Sequence, residues 1–363
     1  MGKRVSEIDG IRGWAALVVV LFHLIDELFG VLAPTIRGAS AHVLINGGLA
    51  VSVFFVLSGD ALSLAYMRKK NINTLDTLLI KRYFRLTVPI LLSCMCTYLL
   101  MKVGLTFNIE AAKIIHREDW LGAFIAFSPT LPSVLRYSIY TVYDGGNLKN
   151  SYNPFLWTMT IELLGSMLII LYLYVSERLT HPKFVIYGLI FFLIAAKSYY
   201  SLFFAGLLLS QYREEGILQR FQSCFIWKIS SILILLSCVF ILAVGLETSF
   251  YYLDLRMPVA IALVFCAYTS RAATAFFSSK FSRFLGTLSF PLYLVHFSII
   301  ISLTSYLIVE TAKLGTLRSE HMIYIVSIST LASFIAAIIF RHLEAAGLML
   351  VDLIPKFALK NSN

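Results

Sequence analysis

Charge is scarce in this chain: Asp, Glu, Lys and Arg make up 14% of its 363 residues, against roughly 25% in soluble domains. Set beside 59% hydrophobic residues and a mean hydropathy of +0.82, that deficit excludes a soluble globular protein and defines a polytopic membrane protein. Cysteine supplies no framework. The five cysteines (Cys94, Cys96, Cys224, Cys238, Cys266) all fall in apolar runs, show neither disulfide nor Cys-His ligand spacing, and read as buried thiols. No phosphate-cradling glycine loop, zinc-helix motif or nucleophile elbow is present. There is also no internal repeat, low-complexity tract or second soluble domain, and no metal is expected. Basic residues are not interleaved with exposed aromatics, so the net charge of +10 requires no nucleic acid.

What the chain has is apolar runs near the ~20 residues an α-helix needs to cross a bilayer. They lie at about 12 to 32, 45 to 66, 86 to 104, 155 to 176, 183 to 197, 199 to 212, 227 to 246, 255 to 270, 285 to 309 and 322 to 342. The spacing predicts an all-α membrane bundle of about ten transmembrane helices. Lys197 marks the boundary between the fifth and sixth, and merging those two leaves nine. The first run follows Lys3 and Arg4 as a signal peptide would. No small-residue cleavage site follows, so it is read as a retained helix in a chain beginning at or near Met1.

Basic residues give the expected sidedness, because cytoplasmic loops carry the excess of Lys and Arg. With both termini cytoplasmic, twenty of the 30 Lys and Arg fall inside. The densest cluster runs from Arg68 to Arg85 and faces anionic headgroups or an anionic ligand. The stretch from Trp120 to Tyr143 is apolar but holds Pro129, Pro132 and Arg136. If it crossed the membrane, the eleven-to-four inside excess downstream would reverse, so it is read as an outer-surface or partly embedded element. The expected layout is a membrane domain over 1–345, with an extracytoplasmic loop at 105–153 ending in the turn-rich Asp144-Gly145-Gly146-Asn147, and a short cytoplasmic tail at 346–363. The 28 Phe and 19 Tyr read as lipid-facing and interfacial residues.

Titratable side chains inside the runs need a reason, since a charge at mid-membrane costs on the order of 2.5 kcal/mol or more and marks functional cavities. Eleven residues separate Arg12 from His23, just over three turns, which puts both on one helix face roughly 16 Å apart along the axis. Helical rise places Glu162 roughly 10 Å below the outer surface and His296 roughly 16 Å above the inner one. Asp60 also falls near mid-depth. Four titratable groups from four helices therefore share the central slab.

With these residues placed, the chain resembles the acyltransferase-3 family of multi-pass membrane acyltransferases. The resemblance rests on Ile8-Asp9-Gly10-Ile11-Arg12-Gly13 leading to His23, on Phe54-Phe55-Val56-Leu57-Ser58-Gly59, and on Arg82-Tyr83-Phe84-Arg85 before Pro89. Leu156-Trp157-Thr158 ending in Glu162 and Leu288-Ser289-Phe290-Pro291-Leu292-Tyr293-Leu294-Val295-His296 complete it. The motifs occur in family order and cover nearly the whole chain. Asp60 departs from the pattern, standing where an apolar residue is expected after Ser-Gly.

The resemblance implies transfer of an acyl group, usually acetyl from cytosolic acetyl-CoA, to a hydroxyl of a carbohydrate or other acceptor across the membrane. The acceptor class is a cell-surface polysaccharide or its lipid-linked precursor, and the setting a bacterial inner membrane. Some family members carry an extra secreted esterase-like domain; none is seen here, so the membrane domain is expected to deliver the group itself. The residues fit this chemistry. A positioned imidazole accepting a hydroxyl proton contributes about 100-fold to 10,000-fold, and His23 is the expected base. Glu162 is the expected carboxylate on its other ring nitrogen. Arg82 and Arg85, at i and i+3, suit the phosphates of CoA, and Arg12 guides the carrier toward His23. His296, Asp60, Trp157 and Tyr293 form the candidate acceptor wall. Direct transfer and an acyl-histidine intermediate both remain open.

Plainer readings stand beside each. Arg82 and Arg85 serve equally as inside-positive anchors, Arg12 as a partner of Asp9, and His23 as a packing residue satisfied by Asp26 or Glu27. Glu162 suits a helix terminus, His296 a structural hydrogen bond, Asp60 a local polar role, and Trp157 and Tyr293 interfacial or core packing. The rival class is a proton-coupled transporter of a small polar solute or sugar, although the broken helices and inverted repeats of such proteins are not evident.

Overall fold

A computed structural model describes residues 5–38, 43–145, 150–244 and 254–355. Among these residues every regular element is helical. α1 (Ser6–Leu21) widens into a π turn over Phe22–Glu27 and is followed by α2 (Gly47–Lys69) and α3 (Ile72–Lys102). The connecting segment holds α4 (Asn108–Ile115) and α5 (Leu131–Ile139), and a 3-10 turn at Pro154–Trp157 leads into α6 (Thr158–Ser176). Then come α7 (Pro182–Ala195), α8 (Tyr200–Glu214), α9 (Ile217–Ser223) and α10 (Phe225–Val244). α11 (Arg256–Thr269), α12 (Arg271–Phe277) and α13 (Lys280–Ile299) follow, a second π turn (Ile300–Thr304) joins α13 to α14 (Ser305–Lys313), and α15 (Ser319–Val351) comes last.

All ten apolar runs are helical, but they are not ten equal spans. Among the described residues, seven segments are long and apolar enough to cross a bilayer, and the α11–α12 pair, bent by 94°, makes up to eight. α7 and α8 have 14 and 15 residues, a length of roughly 21–23 Å against the ~30 Å hydrocarbon core. The break between them does fall at Lys197, which adopts a left-handed conformation (φ 53°). The third run starts earlier than its hydropathy suggests, at Ile72. Lys81, Arg82 and Arg85 are good helix formers whose long stems let the helix continue past the apolar boundary. Between Trp120 and Tyr143 there is no span, only α5, nine residues long and started by a Thr130 cap with proline in its first turn. Gly146 and Asn147 of the expected turn, Lys3 and Arg4, and the tail from residue 356 lie outside the described residues.

The chain divides into two compact units. The first comprises Met1–Ala16, His42–Arg82 and Ile161–Ser289. Its core is the crossing of α2 and α8, where the backbones meet with no side chain between them. A Cβ on Gly59 would stand 2.1 Å from the Phe203 carbonyl oxygen, and one on Gly206 2.0 Å from that of Val56. Small residues permit this approach where lipid offers no hydrophobic drive for helices to associate. The Phe-Phe-Val-Leu-Ser-Gly motif is thus a packing surface.

The second unit comprises Leu17–Ala41, Tyr83–Thr160 and Phe290–Asn363. Here α14 packs on α4, and α15 on both π turns. Buried hydroxyls bind the helices together: Ser93 donates to the Leu294 carbonyl (2.7 Å), and Thr304 to Ser329 (2.7 Å). Because the α2–α8 crossing excludes even one methyl group, Gly206→Val should abolish the monodisperse folded species in detergent, whereas Gly188→Ala, which meets nothing within 4 Å, should leave it intact. Size-exclusion profiles and thermal midpoints check this, and a well-folded Gly206→Val protein would contradict the packing.

Candidate active site

Two of the four predicted mid-membrane groups meet in the second unit. The Nδ1 of His23 lies 3.1 Å from the Nε2 of His296, and the Nδ1 of His296 lies 3.1 Å from the Leu292 carbonyl oxygen. These contacts fix the protons of the neutral pair. A carbonyl oxygen only accepts, so His296 carries its hydrogen on Nδ1 and offers a lone pair at Nε2. His23 must then donate from Nδ1, which leaves its Nε2 with a bare lone pair. The neutral pair therefore presents a base at one defined atom.

Both histidines are set by unusual helix geometry. His23 lies inside the first π turn, and His296 comes four residues before the second. Wide turns of this kind occur often at functional sites. The π turn also changes the azimuth that an unbroken 3.6-residue helix would give His23. Asp26 and Glu27 do not satisfy the ring: Asp26 pairs with Arg37 (3.4 Å), and Glu27 with Arg117 (2.9 Å).

An aromatic cage holds the imidazole. Its ring lies parallel to that of Phe155 with centroids 3.9 Å apart, and Trp120 stacks beside both, 6.1 Å from His23 and 6.0 Å from Phe155. Phe155 is itself fixed from α13. Tyr293 donates to its carbonyl, Thr158 and Tyr293 share a 2.7 Å hydrogen bond, and Asn153, which receives the Phe155 N–H (3.2 Å), donates to the Leu294 carbonyl (3.2 Å). The Leu-Trp-Thr and Phe-Pro-Leu-Tyr motifs thus clamp the ring beneath His23. Tyr293 and His296, expected in the acceptor wall, are both buried, with polar atoms hydrogen-bonded within the protein. Trp157 is 47% exposed.

The remaining predicted residues belong to the first unit, apart from Arg85, which is exposed in the second. Glu162 forms an ion pair with Arg82, whose Nε also donates to Ser166 (2.7 Å). Within the second unit, the group hydrogen-bonded to His23 is His296. Arg82 is correspondingly an anchored guanidinium, with its Nη1 amino group outside these bonds, and it is no mobile surface anchor. Arg12 is half-buried on α1. Asp60 is corrected: both oxygens accept from Arg213 (2.6 and 2.8 Å), one also from Tyr268 (2.7 Å), and the carboxylate is fully buried. Its oxygens are engaged within the protein and are not offered to an acceptor. Arg213 and Tyr268 escaped the sequence reading because their partner lies far away in the chain; Trp120, Phe155 and Arg117 escaped it because they sit in a connection or at a helix entrance. Among the described residues no cluster of His, Cys, Asp and Glu could hold a metal ion.

A multi-pass helical membrane protein with an aromatic-caged histidine pair in one unit and an anchored arginine in the other is the class that these features define. A family model described as an acyltransferase domain matches residues 5–342, and the chain belongs to that family, acyltransferase-3. No curated protein and no solved structure shows a significant match to the chain.

Removing one member of a buried ion pair strands the other and costs about 3–5 kcal/mol. Asp60→Ala should therefore lower the thermal midpoint sharply, while Asp60→Glu keeps part of the stability. Equal midpoints for wild type and Asp60→Ala would show that Asp60 does not hold Arg213.

Proposed function

We propose that the protein is an O-acyltransferase of a bacterial cytoplasmic membrane, moving an acyl group, acetyl in the simplest case, from cytosolic acyl-CoA to a hydroxyl of an extracytoplasmic glycan. The observation that carries this reading is the chain of contacts from the Leu292 carbonyl through His296 to Nδ1 of His23, from which a neutral pair leaves Nε2 of His23 with a bare lone pair in a candidate membrane span. In the direct route, the acceptor oxygen attacks the thioester carbonyl while Nε2 removes its proton. A C–O bond forms, the C–S bond breaks, and the proton held on His23 passes to the departing thiolate to give free CoA. Positive charge on His23 is stabilised through Nδ1–H by the neutral His296, the task a carboxylate performs in hydrolase triads. The same lone pair can attack the thioester carbonyl itself, forming a C–N bond as the C–S bond breaks and CoA leaves as thiolate; the acceptor hydroxyl then attacks the acyl-imidazole, the C–N bond breaks to restore the neutral ring, and the hydroxyl proton passes to the thiolate. Both routes need this tautomer.

Arg12, Arg82 and Arg85 are assigned to the donor's phosphates, which guanidinium forks suit. Glu162 keeps Arg82 in one orientation. The basic stretch from Arg68 to Arg85, the end of α2 and the first turns of α3, faces the cytosol, where the donor is found.

Reconstituted vesicles given labelled acetyl-CoA on the basic face should consume thioester and label a glycan acceptor. His23→Ala should lose activity by about 100-fold to 10,000-fold. His296→Gln, whose amide oxygen can still accept from His23, should retain far more activity than His296→Ala. Solute movement without thioester consumption would instead identify a transporter, and equal rates for wild type and His23→Ala would overturn the mechanism.

A further inference from the structure

Trp120 is the one aromatic neighbour of His23 that is only half-buried and comes from the connection between α3 and the 3-10 turn. Its indole is held in place from behind. The Arg117 guanidinium carbon lies 5.1 Å from the centre of the indole, and Arg117, 6% exposed, is pinned to Glu27 through both the carbonyl and the carboxylate of that residue. Phe124 meets the indole edge-on at 5.0 Å. A cation–π contact and an ion pair at a desolvated arginine hold an indole far more firmly than packing in a loop would.

The surroundings are unlike those of a lipid-facing anchor. His116, Glu118 and Asp119 beside it are exposed, and the Asp119 side chain is 78% accessible while one of its oxygens accepts from Arg117 at 3.3 Å. The indole plane is tilted only 22° from that of His23. A half-buried indole beside an imidazole, with exposed acidic residues next to it in the chain, matches one chemical class of ligand well. A pyranose ring has an apolar C–H face that stacks on an indole and an edge of hydroxyls that need hydrogen-bond partners.

Resting on the acyl-transfer reading above, we infer that Trp120 is the stacking platform for the acceptor, which is a pyranose sugar, with the ring lying on the indole and one hydroxyl directed to Nε2 of His23. Asp119 and Glu118 at the rim receive other hydroxyls. Arg117 acts through Trp120 as a positioning residue.

The test titrates detergent-purified protein with methyl β-D-galactopyranoside and methyl α-D-glucopyranoside, with open-chain sorbitol as the control, by calorimetry and indole emission. At least one pyranoside should bind saturably where sorbitol does not. Trp120→Ala should weaken that binding at least about tenfold, and Trp120→Phe, which keeps a ring, by no more than about threefold. In acetyl-transfer assays with the binding pyranoside, Trp120→Ala should raise the acceptor KM with a much smaller change in kcat. Failure of both pyranosides to bind wild type, equal binding by sorbitol, or unaltered binding by Trp120→Ala would overturn the inference. Thioester consumption by the wild type separates the two levels: if it is present while no sugar stacks, only this inference fails, and if it is absent, the acyl-transfer reading itself fails.

Discussion

The hydrogen bond from Nδ1 of His23 to Nε2 of His296 is the constraint on which the chemistry of the second unit depends. A lone imidazole in a membrane span can carry its proton on either nitrogen and rotate freely about its side-chain bonds. Linking it to a second imidazole, itself tied to the Leu292 carbonyl, removes that freedom. Hydrocarbon surroundings strengthen the effect, since no bulk water competes for the ring nitrogens. The surrounding clamp of Asn153, Thr158, Tyr293 and Phe155 then serves one purpose, to hold the ring in one plane.

The first unit follows a different logic. Its charged side chains are neutralised in pairs, Arg213 with Asp60 and Arg82 with Glu162, around a helix crossing that depends on glycine. Buried pairs of this kind add little net stability relative to apolar packing, but they penalise any arrangement that separates them. They therefore fix the rotation of each helix. An Arg82 so anchored presents its remaining N–H groups in a fixed direction, as recognition of a phosphate requires.

Hydropathy located the apolar runs that become helices among the described residues because burial in lipid demands such runs whatever the tertiary structure, but the length of seven to eight of them alone suits a crossing. Their ends were less legible: α3 extends through Lys81, Arg82 and Arg85 because helix propensity and long side chains override the hydropathy boundary. Helical rise puts His23 and His296 at a similar level, and the two rings do meet. Azimuth was not legible. A π turn shifts the phase of the residues it contains and has no sequence signature, so the contact of His23 with His296 cannot be read from helical spacing. The family motifs include both histidines that meet in the second unit, and several other motif residues are occupied in packing and in hydrogen bonds within the protein. Gly59 allows the close crossing in the first unit, Thr158 and Tyr293 hold Phe155, and Asp60 and Arg213 are separated by 153 positions in the chain, a distance no local pattern spans. Trp120 was read only as part of an apolar loop, because its importance comes from Arg117 and His23.

Nitrogen-15 magic-angle-spinning NMR of histidine-labelled protein in lipid vesicles measures the central claim directly, since protonated and bare ring nitrogens resonate far apart. With His23 and His296 assigned by difference from single substitutions, both residues should show a protonated Nδ1 and a bare Nε2 near neutral pH. A His23 protonated at Nε2 would contradict the account, because the atom that must take the acceptor's proton would already hold one.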